Sequence, residues 1–270
     1  MSVAVFCESL ARHSRAAWSA TRQRWVPIAI IAGFAGSLVA TGTRDVGVAS
    51  ALPATSGAIV KGTVKLQGTA PKPSHIDMAA DPKCVEAHPG GGTSEDILAD
   101  SGGGLRNVIV YVSQGLGDAK FDLPQEAAVI EQKGCMYKPH VVTVRANQEL
   151  KVLNSDNTTH NIHPMPNNNR ELNQSQAPGA PFSMTFAREE IAIPVKCNIH
   201  PWMHSYIAVF KHPYFAVTGK DGSFEIANLP QGSYTITAWH EKLGTTFQKV
   251  TVGESETKTV DFVFKAAPGS

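Results

Sequence analysis

Several side chains of this sequence are of the kinds that together hold one soft metal ion. Cys197, His200 and Met203 follow one another as C-x-x-H-x-x-M. A loop that short, carried between two adjacent strands, can bring a thiolate, an imidazole and a thioether around one point. The remaining imidazole must come from a distant, rigid element. His160 and His163 both stand in the stretch Thr159-His160-Asn161-Ile-His163, which follows a strand pattern. One thiolate, two imidazoles and a weak, long axial thioether are the ligands of a mononuclear type 1 copper centre. Zinc suits the set less well, because a thioether is a soft donor. A bound metal deprotonates the thiol outright, and Pro201 stiffens the loop that carries it. His204 directly follows Met203 and competes for the axial place. Met203 is the expected ligand, since a third imidazole gives a different, less blue centre. No acid, base and nucleophile constellation accompanies these residues, so a non-enzymatic role is expected.

The elements that must position these ligands read as strands. The chain has 270 residues, 23 of them Gly and 17 Pro, and long helix-period runs are missing. Short Val/Ile/Thr/Tyr/Phe runs broken by Gly, Pro, Asn and Asp predict an all-β protein. A first strand is expected over 58–66, with Gly62 at a bulge. The run Leu105–Ser113 (LRNVIVYVS) is continuously apolar at its centre, which predicts burial on both faces. Further strands are expected around 128–131, 141–145, 149–154, 182–187, 191–196 and 206–210. A last group covers 215–218, 223–227, 233–239, 247–252 and 259–264. Residues 67–104 are rich in Pro, Gly and Asp and predict a long irregular excursion, and Met165–Pro181 predicts a polar loop.

Particular segments carry resemblances to two known families. The first is carried by Tyr137-Lys-Pro-His-Val-Val-Thr-Val, Glu149-Leu-Lys-Val-Leu-Asn-Ser-Asp, Thr159-His160-Asn161-Ile-His163 and Val195-Lys-Cys197-Asn-Ile-His200-Pro-Trp-Met203. Together these resemble the cupredoxins, most closely the plastocyanin and amicyanin branch. The resemblance implies a Greek-key β-sandwich holding one type 1 copper ion. His163 is expected on the same side of its strand as His160, but the family's H-N-V-H pattern makes the first histidine the ligand. The implied ligand set is therefore His160, Cys197, His200 and Met203. Asn161 is implied to hydrogen-bond near the Cys197 loop and tie the two halves of the site together. Multicopper oxidases flank the ligand cysteine with histidines, whereas Lys196 and Asn198 stand there here. A binuclear purple centre needs two cysteines in the loop, which holds Cys197 alone. The implied role is one-electron transfer between redox proteins such as a c-type cytochrome or a dehydrogenase. The alternative is an extracytoplasmic binding module with a structural or stored copper ion.

The second resemblance is carried by Thr218-Gly-Lys-Asp-Gly-Ser-Phe-Glu-Ile-Ala-Asn-Leu-Pro-Gln-Gly-Ser-Tyr-Thr-Ile-Thr-Ala238, with the Val-Ile-Val-Tyr-Val strand and the first strand. It is similar to the carboxypeptidase regulatory-like, prealbumin-like β-sandwich. In that family the V-x-V strand leads almost directly to the hairpin, but here a whole cupredoxin pattern intervenes. The expected organisation is a sandwich over 52–126 and 213–270, interrupted by a cupredoxin domain over 127–212. Insertion at a loop is tolerated because domain termini commonly lie close together.

Residues 1–51 read as a targeting segment. A basic stretch ending at Arg24 precedes the apolar run Val26–Ala40, and Ala49-Ser-Ala51 fits an A-x-A cleavage site. The run is short for a spanning helix, so an export signal is expected, with an uncleaved membrane anchor as the alternative. Either places the body outside the cytoplasm, in a periplasmic or extracellular space. The formal net charge is +1, and nothing in the charge pattern calls for nucleic acid. Of the four cysteines, Cys7 lies in the targeting segment. Cys84 and Cys135 are expected to form a disulfide, and the rival reading is a metal site with His88 and His140. In Trp239-His240-Glu241, the expectation is a Trp covering the sandwich edge beside a solvated His-Glu pair. Trp202 and Tyr206 are expected either in the core or in a docking patch.

Overall fold

The structure, a computed structural model, describes residues 57–266. The expected targeting segment, with Cys7, lies outside those residues. What is described is all-β save for one short helix, Pro82–Ala87.

The strands form four main sheets in two groups. In the first group, Ala58–Gln67 pairs antiparallel with Ser223–Leu229 and parallel with Thr257–Thr259 and Phe262–Lys265. Its companion sheet runs Phe215–Val217, Ile109–Gln114, Gly232–His240, Gly244–Val252. Alternation along these strands sends Val60, Val64, Val110, Val112, Phe224, Ile226, Ile236 and Phe262 into one apolar core. In the second group, one sheet runs Phe182–Met184, Leu150–Asn154, Ala128–Gln132, Tyr137–Lys138. The other runs Gln174–Gln176, His160–Pro164, Glu190–Lys196, His204–Phe210, Val141–Arg145. Ile130, Val144, Leu150, Val152, Ile162, Ile193 and Ile207 fill the space between them. Each main-sheet strand pairs only within its own group.

The strand Ile109–Gln114 fulfils the expectation of burial on both faces. Val108, Val110 and Val112 point into the first core, while Ile109 and Tyr111 point the other way. There they meet Val141, Ala208 and Phe210 of the second group, with Tyr206, Phe215 and Trp239 around them. The Tyr111 ring lies 5.2 Å from that of Phe210, and Tyr206 lies 5.2 Å from Trp239. An apolar seam thus joins the two groups.

Three expectations are corrected. Gly62 is not at a bulge: it pairs in register with Phe224, and the register shift lies between Ala58 and Val60. Its backbone is instead so close to the chain at Val260 that a Cβ would lie 1.9 Å from the Val260 carbonyl oxygen. The excursion over 67–104 is partly regular. His75–Ile76 pairs with Gly92–Thr93, and Pro82–Ala87 is helical. Asp81 caps that helix, its Oδ1 accepting the Lys83 N–H at 2.8 Å, and Pro82 opens it without losing a hydrogen bond. Met78 and Cys84 of this segment are buried in the second core. The polar loop 165–181 contains the strand Gln174–Gln176, which pairs with His160–Pro164.

Candidate metal centre

Two hydrogen-bonded strands supply the site. His160 opens the strand His160–Pro164, and Glu190–Lys196 runs beside it into the turn that carries Cys197. That turn is closed by Cys197 N–H donating to the Met203 carbonyl at 3.1 Å and Met203 N–H to the His200 carbonyl at 2.9 Å. Both ends of the C-x-x-H-x-x-M segment are therefore held together by backbone geometry. His160, Cys197, His200 and Met203 are all at most 2% exposed. Tyr137 braces the strands from below, its hydroxyl donating to the carbonyls of Asn161 at 2.5 Å and Lys196 at 3.1 Å.

The ring nitrogens are sorted by their partners. His160 Nε2 lies 2.8 Å from Asp156 Oδ2, and His200 Nε2 lies 3.0 Å from Asp81 Oδ2. A carboxylate accepts, so both Nε2 atoms carry the proton. Both Nδ1 atoms are left as lone-pair donors, and they face each other at 2.9 Å. Cys197 Sγ is 3.8 Å from His200 Nδ1. Two lone pairs at that separation repel unless a cation stands among them. A proton or a metal ion is what the arrangement fits, and one atom from each of His160, Cys197 and His200 falls within 4.8 Å of the others. Carboxylates behind the imidazoles fix their tautomer and orientation, as is common around protein-bound metals.

The acid–base balance of the pocket points the same way. Burial alone pushes the His160 imidazole down, but its contacts with Asp156 and Cys197 outweigh this and raise it to about 9. Burial pushes the Cys197 thiol up. The His160 contact, together with the N–H groups of Asn161 and His200, overcomes that and holds it below its usual range. His200 is held down by burial. Asp156 stays low despite burial because His160 and the N–H groups of Cys135 and Gly134 stabilise its charge. The pocket thus favours a thiolate, which is the form that binds metal.

Asn161 links the halves of the site. Its side-chain oxygen accepts the Asn198 N–H, and its backbone N–H points at Cys197 Sγ at 3.5 Å. His163 does not share the pocket, against the expectation that it would face the same side as His160. It lies three positions along the strand from His160, and an odd offset turns a side chain to the opposite face. Its ring nitrogens meet Asn198 Oδ1 at 3.1 Å and Glu171 Oε1 at 2.6 Å. His204 also lies apart, its Nδ1 on the Trp202 carbonyl at 3.1 Å and its Nε2 3.2 Å from Asp96 Oδ1.

Cys84 and Cys135 are joined in a disulfide, so the rival Cys/His metal site is not formed. His88 Nε2 instead lies 2.6 Å from the Gly134 carbonyl. The bridge links the two carboxylates behind the imidazoles. Cys84 sits in the helix capped by Asp81, and the Cys135 N–H donates to Asp156 at 2.8 Å. Trp202 lies over His200, ring centres 5.1 Å apart, with its Nε1 donating to the Cys135 carbonyl at 3.1 Å.

Asp81, Asp156 and Tyr137 escaped assignment from the sequence. Asp81-Pro82 is a legible helix-cap signal, and Asp156 stands in the quoted Asn-Ser-Asp. Nothing local to Asp81 says that its second oxygen reaches His200 across the fold. A further expectation fails outright: His240 and Glu241 are not solvated. His240 is 1% exposed and the Glu241 side chain 3%, because His240 packs toward Phe264 of its own group and Glu241 meets His140 of the second.

Residues 202–260 match the family described as polysaccharide lyase family 4, domain II. No curated protein matches. A Cu-containing nitrite reductase (NirK) from Thermus scotoductus SA-01 is similar at 16% identity and a TM-score of 0.31, over 37% of this chain and 26% of that one. The chain therefore spans about a quarter of that enzyme's length. A novel purple cupredoxin from Nitrosopumilus maritimus is similar at 21% identity and a TM-score of 0.27, over 30% of this chain and 98% of that one. An oxidised proline-to-glycine mutant of amicyanin is similar at 16% identity and a TM-score of 0.29, over 37% of this chain and 97% of that one.

Proposed function

We propose that this chain is an extracytoplasmic one-electron carrier whose centre is a single type 1 copper ion held by His160, Cys197, His200 and Met203. The observation that carries the reading is the pair of Nδ1 lone pairs facing each other beside Cys197 Sγ, with both Nε2 atoms anchored on carboxylates. Bound there, copper supplies a one-electron couple, and the donor set of thiolate, imidazoles and thioether is the one that favours it over harder ions. Asp156 and Asp81 hold the imidazoles in place. Asn161 and His200 aim N–H groups at the cysteine sulfur, which spreads its charge. Met203 is fully buried, and the Trp202 ring lies over that of His200. A rigid, dry pocket of this kind resists rearrangement when its charge changes.

The disulfide supports an oxidising compartment. Among the described residues no helix is long and apolar enough to cross a membrane. A redox protein, such as a c-type cytochrome or a dehydrogenase, is the proposed partner, docking at the ligand loop, where Ile199 is 48% exposed. Turnover of a small substrate is not part of the reading. We further propose that 127–212 is an inserted cupredoxin domain within a sandwich of 52–126 and 213–270. Its separate folding has to contend with the apolar seam.

One observation favours the alternative of a structural or stored ion. His200 is 2% exposed and lies beneath Asp81, which lengthens the path from the site to a partner. Visible spectroscopy and voltammetry of the copper-loaded body separate the two readings. An intense thiolate-to-copper band with a reversible couple supports the carrier. Stoichiometric copper without either supports storage.

A further inference from the structure

A second group of metal-binding side chains lies outside the first pocket. His140 precedes the strand Val141–Arg145, His204 opens His204–Phe210, and Glu241 follows Gly232–His240. One ligand atom from each falls within 4.8 Å of the others. His140 Nε2 contacts Glu241 Oε1, and His204 Nε2 is 4.0 Å from Glu241 Oε2. We propose that His140, His204 and Glu241 form a second metal site, for a divalent ion of the Zn2+ class, on the seam between the two strand groups.

Three features make this more than a surface cluster. First, the donors are two imidazoles and one carboxylate with no sulfur, a set that zinc takes in proteins with a fourth position left open. Second, the Glu241 side chain is buried and its Oε2 makes no well-formed hydrogen bond, with the Tyr206 hydroxyl and Lys242 as neighbours of the carboxylate, and His140 Nδ1 likewise has no hydrogen-bond partner among the described residues. A buried carboxylate oxygen without a partner is costly, more so when charged, and a cation at this point satisfies it. Third, His204 is held from behind by a backbone carbonyl, as metal-ligating imidazoles commonly are. His204 Nδ1 lies 3.1 Å from the Trp202 carbonyl, which accepts, and its Nε2 faces Asp96 Oδ1 at 3.2 Å and Glu241 Oε2 at 4.0 Å, so an ion here takes the place of the proton on that nitrogen. Glu95 Oε2 stands 3.9 Å behind His140 Nδ1. Asp96, 3.2 Å from His204 Nε2, can supply the fourth ligand.

Lys242 is the competitor. Its Nζ lies 3.2 Å from Asp96 Oδ1 and 3.8 Å from Glu241 Oε2, where it partly neutralises the same oxygens. Its side chain is 45% exposed, so a bound ion can displace it into water at little cost. The ligands come from both strand groups, and Asp96 from the excursion, so an ion here clamps the seam. The site is independent of the copper reading, since it shares no ligand with the first pocket.

Isothermal titration with Zn2+ on the full chain, freed of metal by a chelator, tests the proposal. The Cys197→Ser protein, whose first pocket lacks its thiolate, should still bind one equivalent and melt at a higher temperature with zinc than without. Glu241→Gln and His140→Gln in that background should weaken this event about 100-fold. Lys242→Ala should strengthen it. Absence of a zinc event in Cys197→Ser, or an unchanged event in Glu241→Gln, overturns the site. If those variants do not fold, zinc-edge anomalous scattering from crystals of the unaltered chain decides. A peak between His140, His204 and Glu241 supports the proposal, and a zinc peak confined to the first pocket overturns it.

Discussion

The two strand groups are built on opposite terms. The core of the first is centred on Val60, Val64, Val110, Ile236 and Phe262, and its buried polar side chains are three threonines, Thr218, Thr235 and Thr237, and His240. In the second, Gln132, Asn154, His160, Asn161, Gln176 and His200 are also buried. Each of these makes at least one side-chain hydrogen bond: Gln132 Nε2 donates to Gln176 Oε1 at 2.6 Å, and Asn154 Nδ2 to the Thr158 carbonyl at 3.0 Å. A buried polar group without a partner is costly, so such a network survives only if each member holds the next in place. That rigidity is what a metal pocket needs. An apolar core tolerates repacking as long as volume is kept, and it suits a scaffold. The contrast predicts that damage in the second group reads out in the site, whereas damage in the first reads out in stability alone.

Cys197→Ser should give the largest change: complete loss of the thiolate-to-copper band, with circular dichroism almost unaltered. An intensely coloured Cys197→Ser protein would end the ligand assignment. In the first group, Phe262→Ala should cost about 3–5 kcal/mol by leaving a cavity in a packed core, seen as a lower denaturant midpoint. The same protein, while folded, should keep its copper spectrum. A spectral change there would show that the groups are coupled more tightly than the seam suggests.

Removing the disulfide with Cys84→Ser and Cys135→Ser tests both terms at once. The bridge closes a sequence separation of 51 residues, and its loss should cost about 2–4 kcal/mol. It should also loosen the Asp81 helix and broaden the copper signals. Unchanged spectra would mean that the bridge acts only on the unfolded chain. Asp81→Asn keeps a helix cap but gives up the charge behind His200. Copper affinity should fall about 10–100-fold with little change in melting temperature, whereas equal loss of both would assign Asp81 to the helix alone. The smallest effect is expected from Met203→Gln. Copper should stay bound while the reduction potential falls, because a harder oxygen favours the oxidised ion. If Met203→Gln changes nothing and His204→Ala shifts the potential, the axial assignment is wrong.

Much of the molecule is legible in one dimension. The strands Val141–Arg145 and Leu150–Asn154 follow from β-branched runs bounded by turn residues. The expected donors Cys197, His200 and Met203 stand within one turn, so their spacing shows without long-range information. The apolar run at 108–112 likewise declares two buried faces before either partner is known. His163 shows the limit within a single strand, where its place relative to His160 depends on strand alternation across three residues.

What the tertiary structure decided are the relations between distant segments. That Asp81 backs His200, that the Cys84–Cys135 bridge ties Asp81 to Asp156, and that Glu241 is buried against His140 all join residues far apart in the chain. Local propensity and periodicity carry no term for such pairs. They are fixed only when two apolar faces close on each other and exclude water, which leaves buried polar atoms to be partnered by whatever the packing has brought near. The sequence by itself determined the all-β class and the C-x-x-H-x-x-M spacing from which a soft-metal loop is proposed. Packing decided which carboxylates stand behind the imidazoles, and it turned a His-Glu pair expected in solvent into a buried one.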